Sequence, residues 1–155
     1  MRTLFKRYPE LVETLPMLPL ANLPTPVDKL HTFSTDVGGD VWLKHDEHSG
    51  ALYGGNKVRK LEFLLADALE QNYTDVLTYG AVGSNHALAT AIYAREYQLR
   101  CHVVLTPQPA SPKVANTLLY HLDIGTDLLP VANYPSAAET AARLRATLTA
   151  AGRTL

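Results

Sequence analysis

Val58, Leu61, Leu64, Leu65, Ala68 and Leu69 recur at three- and four-residue spacing, one apolar stripe on an amphipathic helix. Asn56 precedes the stripe and is the expected N-cap. From residue 74 the pattern becomes regular. TDVLTYG (74–80) predicts a short apolar strand, and Ser84 or Asn85 then caps a helix running to about Tyr97. RCHVVLT (100–106) predicts a second strand, and Ser111-Pro112 starts a helix with proline at its first position. Asp127 to Val131 predicts a third strand. SAAE (136–139) reads as a capping box opening a helix that stops at Gly152, and GRTL then reads as the lead into another strand. Strands alternating with helices at this spacing imply βαβ units and an open parallel sheet flanked by helices, an α/β fold.

The first 73 residues read differently. Pro9, Pro16, Pro19, Pro24 and Pro26 suggest a short helix followed by an extended arm crossing a larger body. LHTF leads to a Gly38-Gly39 turn, VWLK (41–44) is expected to be a strand, and HDEHSGALYGG a loop. This part carries apolar material with too few strands to enclose it. The expected organisation is therefore an arm and the first elements of a larger domain over 1–73, and a small α/β domain over 74–155, with the rest of the larger domain absent.

Composition narrows the function classes. A chain of 155 residues, 46% of them hydrophobic, can bury a core and is not disordered. A net charge of −1 gives no field that would recruit nucleic acid or an anionic membrane. No run of apolar residues is long enough to span a bilayer, and the first twenty residues lack the apolar core of a signal peptide. The single cysteine, Cys101, allows no internal disulfide and suits a reducing, cytoplasmic setting.

Candidate chemistry lies in two segments. In YGGNKVRKLE (53–62), Lys57 opens a helix, behind two glycines that let the backbone approach a planar ligand. The amide dipoles of the helix start, together with Arg59 and Lys60, disfavour the protonated amine, as a Schiff-base nucleophile requires. Lys60, one turn on, is placed to meet a phosphate. In GAVGSNHALATA (80–91), a strand ends, a glycine-bearing loop follows and a helix begins, which is where open α/β sheets hold ligands. Asn85 offers an amide to a phenolate oxygen and Ser84 a hydroxyl for proton transfer. Taken one at a time, Lys57 is also readable as a solvated lysine, and Ser84 and Asn85 as plain helix caps.

Together, GGNKVRKLE followed by GSNHALATA resembles the tryptophan-synthase-β-like, fold type II pyridoxal-phosphate enzymes, in particular the branch of 1-aminocyclopropane-1-carboxylate deaminase and D-cysteine desulfhydrase. LPTPVDKL (23–30) and VWLKHDEHSG (41–50) resemble that branch in order and spacing, so the resemblance covers residues 20–155. It implies pyridoxal 5'-phosphate as cofactor. Lys57 would join it through a Schiff base and shuttle protons at the substrate carbon. Asn85 would bind its ring oxygen, Lys60 would help with its phosphate, and Asn56 would lie beside it. Ser84 would assist proton transfer, and the amides around Gly83, Ser84, Asn85 and His86 would hold the substrate carboxylate. The implied reaction is elimination or ring opening on a small amino acid, releasing ammonia and a 2-oxo acid, in an enzyme that is a homodimer when complete. This branch often has glutamine before the Ser-Asn pair and arginine shortly after it, where this chain has Gly83 and Leu88. The implied family chain is longer, with its glycine-rich phosphate loop in the later half, so this chain reads as an N-terminal fragment inactive alone.

Other readings have less support. The alternative is a non-catalytic α/β module or truncated remnant that binds a partner. Four adjacent ligands in HDEH (45–48) cannot all converge, so a solvated loop and no metal is expected. His31, His102 and His121 are isolated in sequence and read as packing or surface residues, and Tyr79 as a core tyrosine ahead of a pocket-lining one. Ser84 and His86 lack a carboxylate partner for a hydrolase triad, and GAVGS is not a dinucleotide fingerprint.

Overall fold

The computed structural model describes residues 2–155. In chain order its elements are α1 (Thr3–Arg7), a 3-10 turn (Pro9–Val12), β1 (Val27–Lys29), α2 (His31–Val37), β2 (Trp42–Lys44), a second 3-10 turn (Asp46–His48) and α3 (Val58–Glu70). Then follow β3 (Asp75–Ala81), α4 (Asn85–Glu96), β4 (Arg100–Thr106), α5 (Pro112–Asp123), β5 (Asp127–Pro130) and α6 (Tyr134–Ala150). The strands β3-β4-β5 form a parallel sheet in that order, with Val76 opposite Cys101 and Val103 opposite Leu128. β1 and β2 form a separate antiparallel pair, Asp28 opposite Leu43. The expected α/β architecture with an open parallel sheet is what is found.

The central strand β4 is buried along all but its first residue, as a strand covered on both faces requires. It meets α4 and α6, and α4 also packs on α5 and α3. Because α4 is enclosed from several sides, its contacts are made by small side chains. Ala87, Ala89, Ala91 and Ala94 are all buried, and the close approach they permit brings α3 against α4. Val58, Leu61 and Leu65 of α3 complete this core, whereas Leu64 of the expected stripe is 55% exposed.

The N-terminal arm does cross this body. Leu18 donates its amide to the Glu62 carbonyl at 2.8 Å, and Ala21 donates to the Glu62 carboxylate at 2.9 Å. Arg2 pairs with the same carboxylate. Glu62, almost wholly buried, is thus the fastener of the arm to α3, and burial without these partners would be costly.

Several local expectations are corrected. Asn56 does not cap α3. Lys57 holds that position without a side-chain capping bond. α6 begins before SAAE: the Asn133 side chain accepts from the Ser136 amide at 3.0 Å and Pro135 sits in the first turn. An asparagine cap backed by proline starts the helix ahead of the capping box. β1 and α2 are short elements with no long-range pattern of their own. α2 ends at Gly38, whose φ of 69° is the left-handed C-cap conformation. The closing segment forms no named strand, yet its Thr154 carbonyl accepts from the amides of Thr74 and Asp75, beside β3.

Two further residues depart from expectation. His102 is not isolated: it lies between Asp75 and Asp127 at 2.7 and 2.6 Å. His121, buried with Thr126 beside it, and exposed His31 are the packing and surface residues expected. Tyr79 is 46% exposed and so is not a core residue, because it lies near the carboxyl end of β3, the edge strand of the sheet.

Candidate active site

The loop carrying Lys57 is clamped to the second 3-10 turn. The Gly55 amide donates to the Asp46 carbonyl at 2.6 Å, and the buried Ser49 hydroxyl donates to the Gly55 carbonyl at 2.7 Å. Both glycines are required by this packing. A Cβ on Gly54 would lie 1.8 Å from the Glu47 carbonyl oxygen, and Gly55 has φ of +105°. The close backbone approach seen here is therefore to residue 47. Arg59 grips the Asp46 carboxylate with two hydrogen bonds of 2.8 and 2.7 Å. Its charge is matched by Asp46, so the free cations near the helix start are Lys57 and Lys60. The expectation that Arg59 adds to them is corrected.

The second segment is a strand-turn-helix at the carboxyl end of β3. The turn is tight enough that a Cβ on Gly80 would sit 2.5 Å from the Ser84 Cβ. Ser84, rather than Asn85, caps α4, its Oγ accepting from the Ala87 amide at 3.2 Å. That bond uses an oxygen lone pair and leaves the hydroxyl proton free to be donated. The Ser84 amide donates to the Ala81 carbonyl, and the Gly83 amide to Gln108 Oε1 at 3.0 Å. Among the described residues, the free donors of this helix start are then the amides of Asn85 and His86, and Gly83 is not one of them. Gln108, from the loop after β4, lies within 3.2 Å of where a Gly83 side chain would begin. A glutamine thus comes to this place from elsewhere in the chain. Leu88 is 3% exposed and faces the core.

The two segments meet. The Tyr53 hydroxyl donates to Asn85 Oδ1 at 3.3 Å, and the Tyr93 hydroxyl of α4 donates to the Tyr53 carbonyl at 2.9 Å. Burial of the His86 ring lowers its pKa, and the charges of Lys60 and Lys57 lower it further. The ring is therefore neutral near pH 7, and both lysines lie within electrostatic reach of it. His86 Nδ1 is buried and has no hydrogen-bond partner among the described residues. His86, Tyr79, Leu61, Leu64, Thr90 and Arg145 line a cleft of about 360 Å³ at the sheet edge. Asn56 and Asn85 are exposed and Lys57 is half-buried, and of the expected site residues only His86 lines this cleft.

Sequence reasoning missed Tyr53, Tyr93 and Gln108, which join segments distant in the chain and carry no local pattern. The phenolic group of Tyr53, pushed up by burial and by nearby Tyr120, remains a hydrogen-bond donor at neutral pH. Cys101, the other nucleophile in the neighbourhood of the sheet, is inert: burial, with Asp127 near it, pushes its thiol up to about 12. Among the described residues no helix is long and apolar enough to cross a membrane.

Comparison with known proteins bears directly on this arrangement. The sequence profile of the family described as "Pyridoxal-phosphate dependent enzyme" matches residues 18–152. D-cysteine desulfhydrase of Yersinia pestis is 42% identical over 103 residues, which are 66% of this chain and 31% of that protein. The mitochondrial bifunctional D-cysteine desulfhydrase/1-aminocyclopropane-1-carboxylate deaminase of Arabidopsis thaliana is 42% identical over 86 residues, 56% of this chain and 21% of that protein. The crystal structure of an ACC deaminase homologue aligns with a TM-score of 0.82 at 30% identity, covering 99% of this chain and 46% of that one. Maize serine racemase aligns with a TM-score of 0.58 at 26% identity, over 79% of this chain and 36% of its own. The matches span about a third or less of these curated relatives and less than half of the solved chains.

Proposed function

The chain belongs to the pyridoxal-phosphate dependent enzymes, and from that premise we propose that it serves a deaminating lyase reaction on a small amino acid, by elimination or ring opening, with release of ammonia and a 2-oxo acid. The observation that carries this reading is the meeting of two segments distant in sequence. The Lys57 loop touches Asn85 through Tyr53, and the charges of Lys57 and Lys60 reach His86.

The donor set fits the cofactor and an amino acid. It comprises an amine, a side-chain amide, two free helix amides and a buried imidazole nitrogen without a partner. Pyridoxal phosphate, when bound, supplies an electron sink for a carbanion at the substrate carbon. Lys57 would hold it covalently and then move the proton at that carbon. Asn85 would bind its ring oxygen, Lys60 its phosphate, and Asn56 would flank it. The amides of Asn85 and His86 would hold the substrate carboxylate at the positive end of α4. Gly83, whose amide is engaged by Gln108 and whose Cα is crowded by Gln108 and Val114, would flank the substrate without supplying a donor. Ser84 would donate its hydroxyl proton to the departing group, and neutral His86 would close the rim without adding a competing cation.

We place the reaction in the cytoplasm, whose reducing conditions suit a lone buried thiol, and assign the complete enzyme as a homodimer. Residues 1–73 are the arm and first elements of the larger domain and 74–155 the smaller one. Turnover is assigned to a polypeptide of relative-like length, because this chain spans under half of its solved neighbour. The test is a chimera joining these 155 residues to the remaining portion of the homologous D-cysteine desulfhydrase. Equimolar ammonia and 2-oxo acid from D-cysteine, with sulfide as the departing group, or from 1-aminocyclopropane-1-carboxylate by ring opening and hydrolysis, is expected. A folded, cofactor-loaded chimera that releases neither product from either amino acid contradicts the proposal.

A further inference from the structure

We propose that His45, Glu47 and His48 form a binding site for a divalent transition-metal ion of the zinc type, independent of the reaction above. The feature begins in local geometry. His45 precedes a 3-10 turn and His48 ends it, and in such a turn side chains three residues apart eclipse one another. Their rings accordingly stack, with centroids 5.8 Å apart and planes 23° apart. Glu47 Oε1 lies 2.6 Å from His45 Nδ1 and 3.8 Å from His48 Nε2. One ligand atom from each of the three residues falls within 4.8 Å of the others, so small side-chain rotations bring all three onto a single ion. The fourth member of the sequence run, Asp46, is turned away to Arg59 and Thr25, so three of the four do converge.

A second observation is independent of this cluster. The other ring nitrogen of His45, Nε2, sits 3.0 Å from the Asp28 carboxylate on β1. A carboxylate on the far nitrogen fixes the tautomer and orientation of an imidazole whose near nitrogen is left to a metal, and such partners accompany most histidine ligands. The mount is also rigid. The His45 amide donates to the Pro26 carbonyl at 3.0 Å, the Asp46 carbonyl accepts from Gly55, and Arg59 holds the Asp46 side chain. The ligand His45 and the adjoining Asp46 thus stand on backbone already fixed by other bonds, which lowers the entropy lost on binding.

The chemistry of the set selects the ion. Two imidazoles and one carboxylate suit zinc and its neighbours, whereas calcium and magnesium require more oxygen ligands. Glu47 and His48 are well exposed, so an ion can enter and water can complete its coordination. Because the same turn carries the carbonyl that holds Gly55, occupancy would brace the loop leading to Lys57.

The metal-free chain is titrated calorimetrically with zinc chloride. One ion per chain is expected, with a dissociation constant on the order of micromolar, and saturating zinc should raise Tm by about 5 °C. His48→Ala and Glu47→Gln should each weaken binding at least about 10-fold. Asp28→Asn, which touches no ion, should weaken it about 10-fold through His45, and His31→Ala should change nothing. The three substituted ligand-side residues are exposed or half-exposed, so their variants fold, as circular dichroism would verify. Zinc affinity weaker than about 1 mM, or affinity unchanged in His48→Ala and Glu47→Gln, overturns the site.

Discussion

Lys57→Ala is expected to remove turnover from the chimeric enzyme by about 1000-fold or more while leaving the fold in place. The expectation rests on position. Lys57 stands at the N-cap of α3 and caps nothing with its own side chain. The residue after it, Val58, is fully buried and anchors the helix start without help from the lysine. Alanine is as good a helix former as lysine, so the stability change should stay within about 0.5 kcal/mol. What alanine lacks is the amine, and neither neighbouring cation can replace it. Arg59 is bound to Asp46, and Lys60 starts one helical turn further along. Steady-state rates with D-cysteine and 1-aminocyclopropane-1-carboxylate, with Tm measured in parallel, separate loss of chemistry from loss of fold. Retention of more than about a tenth of the rate would remove Lys57 from the mechanism.

Asp75→Ala is expected to destabilise the chain by about 3 kcal/mol and to remove an acid-sensitive part of its stability. Asp75 starts β3 and is almost wholly buried. It accepts from Thr74 Oγ1 at 2.6 Å, from Arg153 Nε at 3.0 Å and meets His102 Nε2 at 2.7 Å. His102 in turn meets Asp127 of β5. One carboxylate therefore ties the beginnings of all three strands to the closing segment of the chain. Burial by itself would raise its pKa. The hydrogen bonds from Thr74, His102 and Arg153, with the arginine's charge, outweigh burial and hold the carboxyl below its ordinary range. A depressed carboxyl stabilises the folded state above its unfolded pKa, and this contribution disappears as pH falls through the lower folded value. Urea denaturation should thus show a fall in stability as pH drops below about 4, and Asp75→Asn should flatten that fall. An equal acid response in Asp75→Asn would place the effect elsewhere.

Much of the fold could be read from the sequence because its units are local. β4 matches its apolar run residue for residue, β3 is displaced by one position, and Ser84 and Ser111 cap the helices they precede. A cap or a buried strand is determined by a few adjacent residues. The failures arise where a partner is distant. Asn56 follows a glycine loop whose course is set by packing on residue 47, which rotates Asn56 out of the capping position. The buried charge of Glu62 makes sense only with Arg2 and Ala21, far back in the chain. His102 looks isolated until parallel pairing brings Asp75 and Asp127 to its two nitrogens.

The candidate site divides in the same way. Its amine and its helix-capping serine lie in short motifs and were legible. The parts that join or adjust those motifs were not. Tyr53 reaches Asn85 across the gap between segments, Tyr93 fixes the loop that carries Tyr53, and Gln108 takes up the Gly83 amide. Each is a single side chain on an otherwise ordinary element, so no spacing announces it. Gln108 and the inward-facing Leu88 occupy the two places where this chain departs from the branch it resembles, and they make substrate choice the property most open to differ from its relatives.

The central claim is that the Lys57 amine is the one that meets the cofactor aldehyde. The direct measurement is to incubate the chimeric enzyme with pyridoxal phosphate, reduce with borohydride and map the modified peptides. The account predicts that the pyridoxyl group accumulates on Lys57 ahead of the more exposed Lys60. Labelling that follows exposure alone, with Lys57 no faster than the other lysines, would contradict it.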